Sequence, residues 1–287
     1  MSAAAILSRL AGPAVAAALS LYASASTAAP ERVVSVNLCT DQLAMLVAAP
    51  GQMRSVSFLA HDPRSSAMVE EASALPPNRG QAEEVFLMKP DLVVAGSFTS
   101  RATLDMLRRL GVEVVEFAPA NSLDDIRASL RQMGEALGRE ARAAELIAAF
   151  DADLEAARAE GEARPRAALY YAKSYTLGAG TLADSVMEAA GLSNVAAELG
   201  VTGGGRLPLE ALVMATPDIV VTGREMEGAA RATETFSHPA LAALRSEIDA
   251  APVADRNWIC GTPFITAAIR RLSAARDAVL AQRVARR

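Results

Sequence analysis

The chain is short of the residues that metal and redox centres draw on. Only two His occur in 287 residues, and a dedicated transition-metal site would normally draw on more His or Cys. Aromatic residues make up 4% of the chain, with one Trp, four Tyr and seven Phe, so each ring warrants separate consideration. There is no Gly-x-Ser-x-Gly elbow and no Gly-x-x-x-x-Gly-Lys phosphate loop, so no site for acyl or phosphoryl transfer is visible. Lys and Arg are scattered and the net charge is −5. That excludes the clustered cations with which a nucleic-acid binder neutralises phosphates. The basic end, Arg283 to Arg287, reads as a solvated tail. After residue 29 no apolar run reaches the roughly 20 residues that a membrane span requires.

What is present is a globular composition, 52% apolar and 21% charged, long enough for two lobes with a core in each. Residues 1–29 read as an export signal, so the mature chain is expected outside the cytoplasm. Arg9 supplies a weak basic region, and Leu10 to Ala23 an apolar core broken by Gly12, Pro13 and Ser20. Ala23-Ser24-Ala25 fits a small-x-small cleavage site, with Ala28-Ala29 a second choice. The alternative is a membrane anchor, for which the stretch is short, Ala-rich and interrupted by Pro. No Cys follows it directly, so a lipid anchor is not indicated. Loss of Arg9 would leave the mature chain one unit more negative.

Arg32 to Val36 is a β-branched run of the kind that forms a buried strand, broken by Asn37-Leu38-Cys39. Gln42 to Val47 reads as a helix that Thr40 or Asp41 would cap. Strand, polar turn and helix make the βα unit of a parallel sheet. Further strands are expected at Arg54–Phe58, Leu92–Ala95 and Val112–Phe117. Ser122-Leu123-Asp124-Asp125 resembles a capping box for a helix to about Leu137. Its acidic pair is explained by the first helical turn. After Gly138 a second helical stretch runs to about Glu160, ended by Gly161 and Pro165. A second series follows: a strand at Ala167–Tyr171, a helix at Thr181–Ala190, strands at Ile219–Thr222 and Asn257–Cys260, and a closing helix from Phe264 to about Val284.

An internal repeat organises these elements. Glu83 is followed after six residues by Pro90-Asp91, the aliphatic strand Leu92-Val93-Val94-Ala95 and Gly96. Glu210 is followed in the same way by Pro217-Asp218, Ile219-Val220-Val221-Thr222 and Gly223, at a constant offset of 127. Each copy reads as a short helix stopped before Pro, then a buried strand ending at a Gly-bearing turn. Two copies flanking a long helix predict two similar α/β lobes: 30–138, a connecting helix at 139–163, and 164–287. A single α/β domain is the alternative. Facing lobes would bind ligand in a shared cleft, outside the carboxyl ends of their strands.

Cys39 and Cys260 each end an expected strand near that cleft. They form either a disulfide that staples the lobes or two small buried hydrophobes. His61 follows a strand and His238 precedes Pro239, and both read as structural. Gly203-Gly204-Gly205 lacks the residues of a phosphate cradle and reads as a flexible turn.

The Arg32–Val36 strand with its polar turn, the Lys89-Pro90-Asp91-Leu92-Val93-Val94 segment, the long helix and Pro217-Asp218-Ile219-Val220-Val221 together resemble a known family. It is that of the periplasmic binding proteins of ABC importers for vitamin B12, ferric siderophores and haem. The resemblance covers about residues 31–280. It implies two Rossmann-like α/β lobes joined by one long rigid helix, with a ligand cleft between them. It also implies a Glu on each lobe that docks onto basic residues of the permease, here Glu83 and Glu210, although acidic residues are common in first helical turns anyway. Candidate ligand contacts are the strand-end residues Cys39, Thr40, His61, Ser97 and Phe98 in the first lobe. In the second they are Tyr171, Tyr175, Arg206, Trp258 and Phe264. Rings would stack on a flat corrin, porphyrin or catechol chelate, and Arg206 would pair with ligand carboxylates. The expected ligand is a metal chelate or corrinoid, with no separate cofactor and a monomeric chain. Readings of another class, a periplasmic enzyme or a ligand sensor using the same cleft, stay open.

Overall fold

The computed structural model describes residues 28–159, 161–222, 238–241, 249–250 and 255–286. All but the last two positions of the expected export signal, and Gly223 of the repeat, lie outside the described residues.

The first half alternates strand and helix. Its elements are β1 (Val33–Ser35), α1 (Leu38–Val47), β2 (Met53–Ser57), α2 (Val69–Ala72), β3 (Pro77–Asn78), α3 (Ala82–Leu87), β4 (Leu92–Gly96), α4 (Arg101–Arg109) and β5 (Glu113–Phe117). The strands form one parallel sheet in the order β3-β2-β1-β4-β5. Helices α5 (Leu123–Leu137) and α6 (Glu140–Ala157) follow. The second half contains β6 (Arg166–Tyr170), β7 (Tyr175–Leu177), α7 (Leu182–Ala189), β8 (Ser193–Asn194), α8 (Val195–Glu198), β9 (Gly204–Arg206), α9 (Leu209–Ala215), β10 (Ile219–Thr222), β11 (Asp249–Ala250) and α10 (Ile265–Ala285). Here β11-β10-β6-β8 form a second parallel sheet, and β7 and β9 an antiparallel ribbon. The chain is thus an α/β protein with two lobes, each built on its own parallel sheet.

The repeat has a specific structural role. In the first lobe the Asp91 carboxylate accepts the backbone N–H groups of Glu31 (3.1 Å) and Arg32 (2.8 Å), and the Asp91 N–H donates to the Arg32 carbonyl at 3.1 Å. In the second lobe the Asp218 carboxylate accepts the Arg166 N–H at 2.8 Å, and the Asp218 N–H donates to the Arg166 carbonyl at 2.8 Å. Each Asp therefore fixes the start of one central strand, β1 or β6, against its own strand, β4 or β10.

Several local expectations need correction. Helix α1 starts earlier than its apolar pattern suggests. Its cap is Asn37, whose side chain accepts from the Cys39 and Thr40 N–H groups. Thr40 and Asp41 sit in the first turn and point into the lobe. Asn257–Cys260 is a 3-10 turn and bends rather than a strand. Gly204 and Gly205 belong to strand β9 rather than to a flexible turn. The basic end is helical to Ala285, and Arg283 is ion-paired with Asp218. The capping box at Ser122 is present, with Asp125 bonding back to the Ser122 N–H.

The lobes are tied together in three ways. Leu130, Leu137, Phe150 and Leu154 of α5 and α6, Ile269 and Leu272 of α10, and strand residues of both lobes such as Val94 and Leu169 form one continuous buried cluster. Gly138 turns the chain between α5 and α6 at φ 63°. One turn back, a Cβ at Gly134 would come within 2.6 Å of the Ala143 methyl, so Gly is required for the two helices to approach this closely. Lastly, the structure bonds Cys39, at the start of α1, to Cys260, just before α10, with their Cα atoms 5.1 Å apart.

Two predictions follow from this architecture. Asp41 is fully buried, and its carboxylate accepts the Ser57 N–H (3.0 Å) and hydroxyl. Burial pushes its carboxyl from 3.8 up to about 6, although hydrogen bonds from Ser35 and Ser57 pull the other way. Between those two values the folded state holds a proton that the unfolded state has lost. Asp41 therefore makes the protein less stable as pH rises through this window, by roughly 3 kcal/mol in full. Urea midpoints measured across the window should fall more steeply for the wild type than for Asp41→Asn, and equal slopes would refute the assignment. The disulfide spans 221 positions of sequence, and constraining so long a loop in the unfolded chain is worth about 2–5 kcal/mol. Replacing both cysteines with Ser should lower the urea midpoint accordingly while leaving the native circular dichroism unchanged.

Candidate ligand-binding site

The carboxyl ends of β4 and β5 in the first sheet and of β6 in the second open on one cavity of about 660 Å³, within the usual range for small-molecule sites. The first lobe contributes Phe98, from the turn after β4, and Pro119-Ala120-Asn121, between β5 and α5. The second contributes Tyr171 at the end of β6, Tyr175 and Leu177 on β7, Gly180 to Ala183 at the head of α7, Gly203 and Gly204, and Trp258, Ile259 and Ile265. Four rings therefore face one largely apolar space.

The two tyrosines are held by a tight connection. The Tyr171 N–H donates to the Tyr175 carbonyl at 2.9 Å, and between them Lys173 (φ 59°) and Ser174 (φ 57°) both lie in the left-handed region. Such positions cost on the order of 1–3 kcal/mol each and persist only where the surroundings enforce them. The Tyr175 ring lies over strand β9, where a Cβ at Gly204 would come within 2.1 Å of the phenol oxygen. Gly204 therefore makes room for this ring, on a strand that opens with two glycines. Beneath the cavity, Thr181 caps α7, accepting the Asp184 N–H at 3.2 Å and donating to the Gly178 carbonyl at 2.8 Å. On the other side Gly261 lies so close to the first lobe that a Cβ there would meet the Ala120 methyl at 2.2 Å. This contact and the neighbouring disulfide hold the segment that carries Trp258 and Ile259 close to the first lobe.

Of the ligand contacts expected from sequence, Phe98, Tyr171, Tyr175 and Trp258 line the cavity. The others are elsewhere. Cys39 is committed to the disulfide. Thr40 is 1% exposed, with its hydroxyl bonded to Ser35 and to the Asn37 carbonyl. His61 ends a 3-10 turn and is half-buried outside the lining. Ser97 is half-buried, its N–H taken by the Phe117 carbonyl at 2.9 Å. Arg206 is exposed and pairs with Tyr175 across β7 and β9, which puts it on the same face of the ribbon but outside the lining. Phe264 caps α10, and its neighbour Ile265 takes the place in the wall. Sequence reasoning missed the Pro119–Asn121 turn and the head of α7. Their signal is the run of Pro, Gly and small residues that follows a strand in each lobe. His238 is exposed, with its Nδ1 accepting the Ala240 N–H at 3.2 Å.

The described lining contains no Asp, Glu, His, Lys or Arg. Among the described residues no group of three or more His, Cys, Asp or Glu could hold a metal ion, and no helix is long and apolar enough to cross a membrane. Glu83 and Glu210 stand exposed in the first turns of α3 and α9, away from the cavity wall.

Comparison with known proteins agrees with this architecture. The chain is 31% identical over 200 residues to a cobalamin-binding protein of Halobacterium salinarum, covering 68% of this chain and 54% of the relative. It is 25% identical over 204 residues to the ABC transporter substrate-binding lipoprotein YvrC of Bacillus subtilis, covering 67% and 63%. The chain thus spans between about half and two thirds of the length of these relatives. Among solved structures, the periplasmic haem-binding protein RhuT of Roseiflexus sp. RS-1 in apo form matches with a TM-score of 0.72 at 25% identity, covering 87% of this chain and 99% of that one. The periplasmic binding protein model matches residues 33–246, which include both central strands and the connecting helices, and the chain belongs to the periplasmic binding protein family.

Proposed function

We propose that this protein is the periplasmic substrate-binding component of an ABC importer, and that it captures a flat metal chelate or corrinoid and delivers it to the membrane permease. An iron-siderophore, haem and cobalamin are the members of that class to test. The observation that carries the reading is the inter-lobe cavity with Phe98, Tyr171, Tyr175 and Trp258 on its walls. Facing rings suit a broad conjugated or apolar ligand that can be stacked from both sides. The relatives support the class, since one is a cobalamin-binding protein and a structural neighbour is a haem-binding protein. Tyr171 and Tyr175 are the titratable side chains of the described lining, which favours binding over acid–base catalysis. Residues 1–29 would direct export and then be removed, leaving a soluble monomer. Glu83 and Glu210 would meet basic groups on the permease.

The chain has one Trp, and it lies in the cavity wall, so its fluorescence reports on this site alone. Titration of the mature protein with haem, cobalamin and ferric siderophores should quench Trp258 with one of them, saturably and at 1:1 stoichiometry. Tyr175→Ala should weaken that ligand by about tenfold or more, the worth of one stacked ring with its buried area. Absence of a response to every ligand would remove the proposed substrate class.

A further inference from the structure

Helices α3 and α9 are the two copies of the repeat, and they resemble each other in a feature that the fold does not require. Glu83 and Glu210 are both exposed, and neither forms an ion pair among the described residues. Three and four positions further on, each helix places two large apolar side chains near its acid. Phe86 is 42% exposed and Leu87 78%; Val213 is 36% exposed and Met214 84%. Both pairs stand at the constant repeat offset of 127 from one another. A scattered exposed hydrophobe is ordinary on a protein surface. Scatter does not account for the same acid-plus-apolar arrangement in both lobes, made each time from different apolar residues. Each helix precedes a parallel strand and runs back along its sheet. Its acidic end therefore lies towards the edge where the strands open on the cavity.

We infer that Phe86–Leu87 and Val213–Met214 are apolar anchors of the permease-docking face, each seated in an apolar socket beside the basic group that receives Glu83 or Glu210. This rests on the importer reading above. The chemistry commits the occupant: a protein surface that offers the same element twice, a cation next to an apolar hollow. The two parts of each anchor have separable roles. The exposed acids act at a distance, steering association in a salt-dependent way. The apolar side chains act only once water has been excluded, so they set how long the complex lasts.

The test uses the mature protein and its cognate ABC permease, reconstituted in nanodiscs, with binding kinetics measured across a range of salt concentrations. The Leu87→Ser/Met214→Ser double variant should dissociate at least tenfold faster, with association rate and salt dependence near wild type. Glu83→Arg/Glu210→Arg should instead lose association and its salt dependence. Val284→Ser, which removes an apolar side chain that is 75% exposed at the far end of α10, should behave as wild type. Melting temperature and Trp258 fluorescence should be unchanged in all three, which separates docking from folding and ligand capture. If the Glu variant fails while the Leu87/Met214 variant binds normally, the importer reading stands and the apolar anchors are refuted. If neither variant is impaired, the docking reading itself is refuted, and this inference with it. Equal binding to empty nanodiscs would make the occupant lipid. A wild-type dimer in sedimentation that the double variant abolishes would make it a second copy. Either result would overturn the proposal.

Discussion

The level at which each lobe presents its half of the cavity depends on how each Asp of the repeat holds the strand beside it. Just before it, Lys89 (φ 52°) and Thr216 (φ 44°) are both forced into the left-handed region. A following Pro disfavours the right-handed helical conformation, so α3 and α9 must stop there, and the left-handed residue swings the chain into the strand. Such a conformation costs a non-Gly residue on the order of 1–3 kcal/mol. Charge-assisted bonds from Asp91 to the Glu31 and Arg32 N–H groups, and from Asp218 to that of Arg166, offset it. The side chain of Arg32 adds a bond to the Lys89 carbonyl at 2.6 Å, and Arg166 reaches the Ala215 carbonyl in the same manner. The arrangement fixes the register of β1 on β4 and of β6 on β10, and with it the level at which β4 and β6 release the turns that carry Phe98 and Tyr171.

Register within each lobe does not by itself set the distance between lobes. That comes from a shared core, from the close approach of Gly261 to Ala120 and from the Cys39–Cys260 bond. The Arg256 side chain adds a bond to the Pro63 carbonyl across the same boundary at 3.4 Å. Two lobes with one continuous core cannot hinge widely without exposing apolar surface, at about 25 cal/mol for each Å² uncovered. A wide hinge at this boundary would therefore be costly, which favours walls that need little ordering on binding.

Most of this was legible in the sequence where the signal was local and periodic. The βα units, the capping box at Ser122, the turn at Gly138 and the Pro-Asp repeat all follow from residues close together in the chain. The failures have a common cause, which is that the deciding partner lies far away in sequence. Thr40 and Asp41 look like helix caps, but Asp41 is bonded to Ser57 and Thr40 to Ser35. Strand β3 is two residues beginning with Pro and carries no apolar alternation. It is held there because the Asn78 amide donates to the Ser35 carbonyl at 2.8 Å and to the Ser55 hydroxyl at 2.9 Å. Gly203 to Gly205 resemble a loose turn until the Tyr175 ring is seen lying on the strand. In the site itself, scarcity identified the rings, since a chain with few aromatics leaves few to choose from. Position at a strand end did not identify the rest, because it says nothing about whether a side chain turns outwards, as Phe98 does, or inwards, as Thr40 does.

The composition of the cavity constrains how any ligand would be selected there. Charge cannot discriminate strongly, because the described lining contains no carboxylate, ammonium or guanidinium group. Shape and stacking must do so, and both are fixed by backbone that cannot easily yield. The Tyr171–Tyr175 connection holds two consecutive left-handed residues, and Gly204, the floor against the Tyr175 ring, has no side chain that could shift. An added methyl group on that floor would displace the ring itself. A bulkier ring, on the other hand, would have to come from a residue already at the wall. Variation in ligand among related proteins of this fold should therefore arise in the loops that carry Phe98, Trp258 and the two tyrosines, while the clamped strands beneath them stay unchanged.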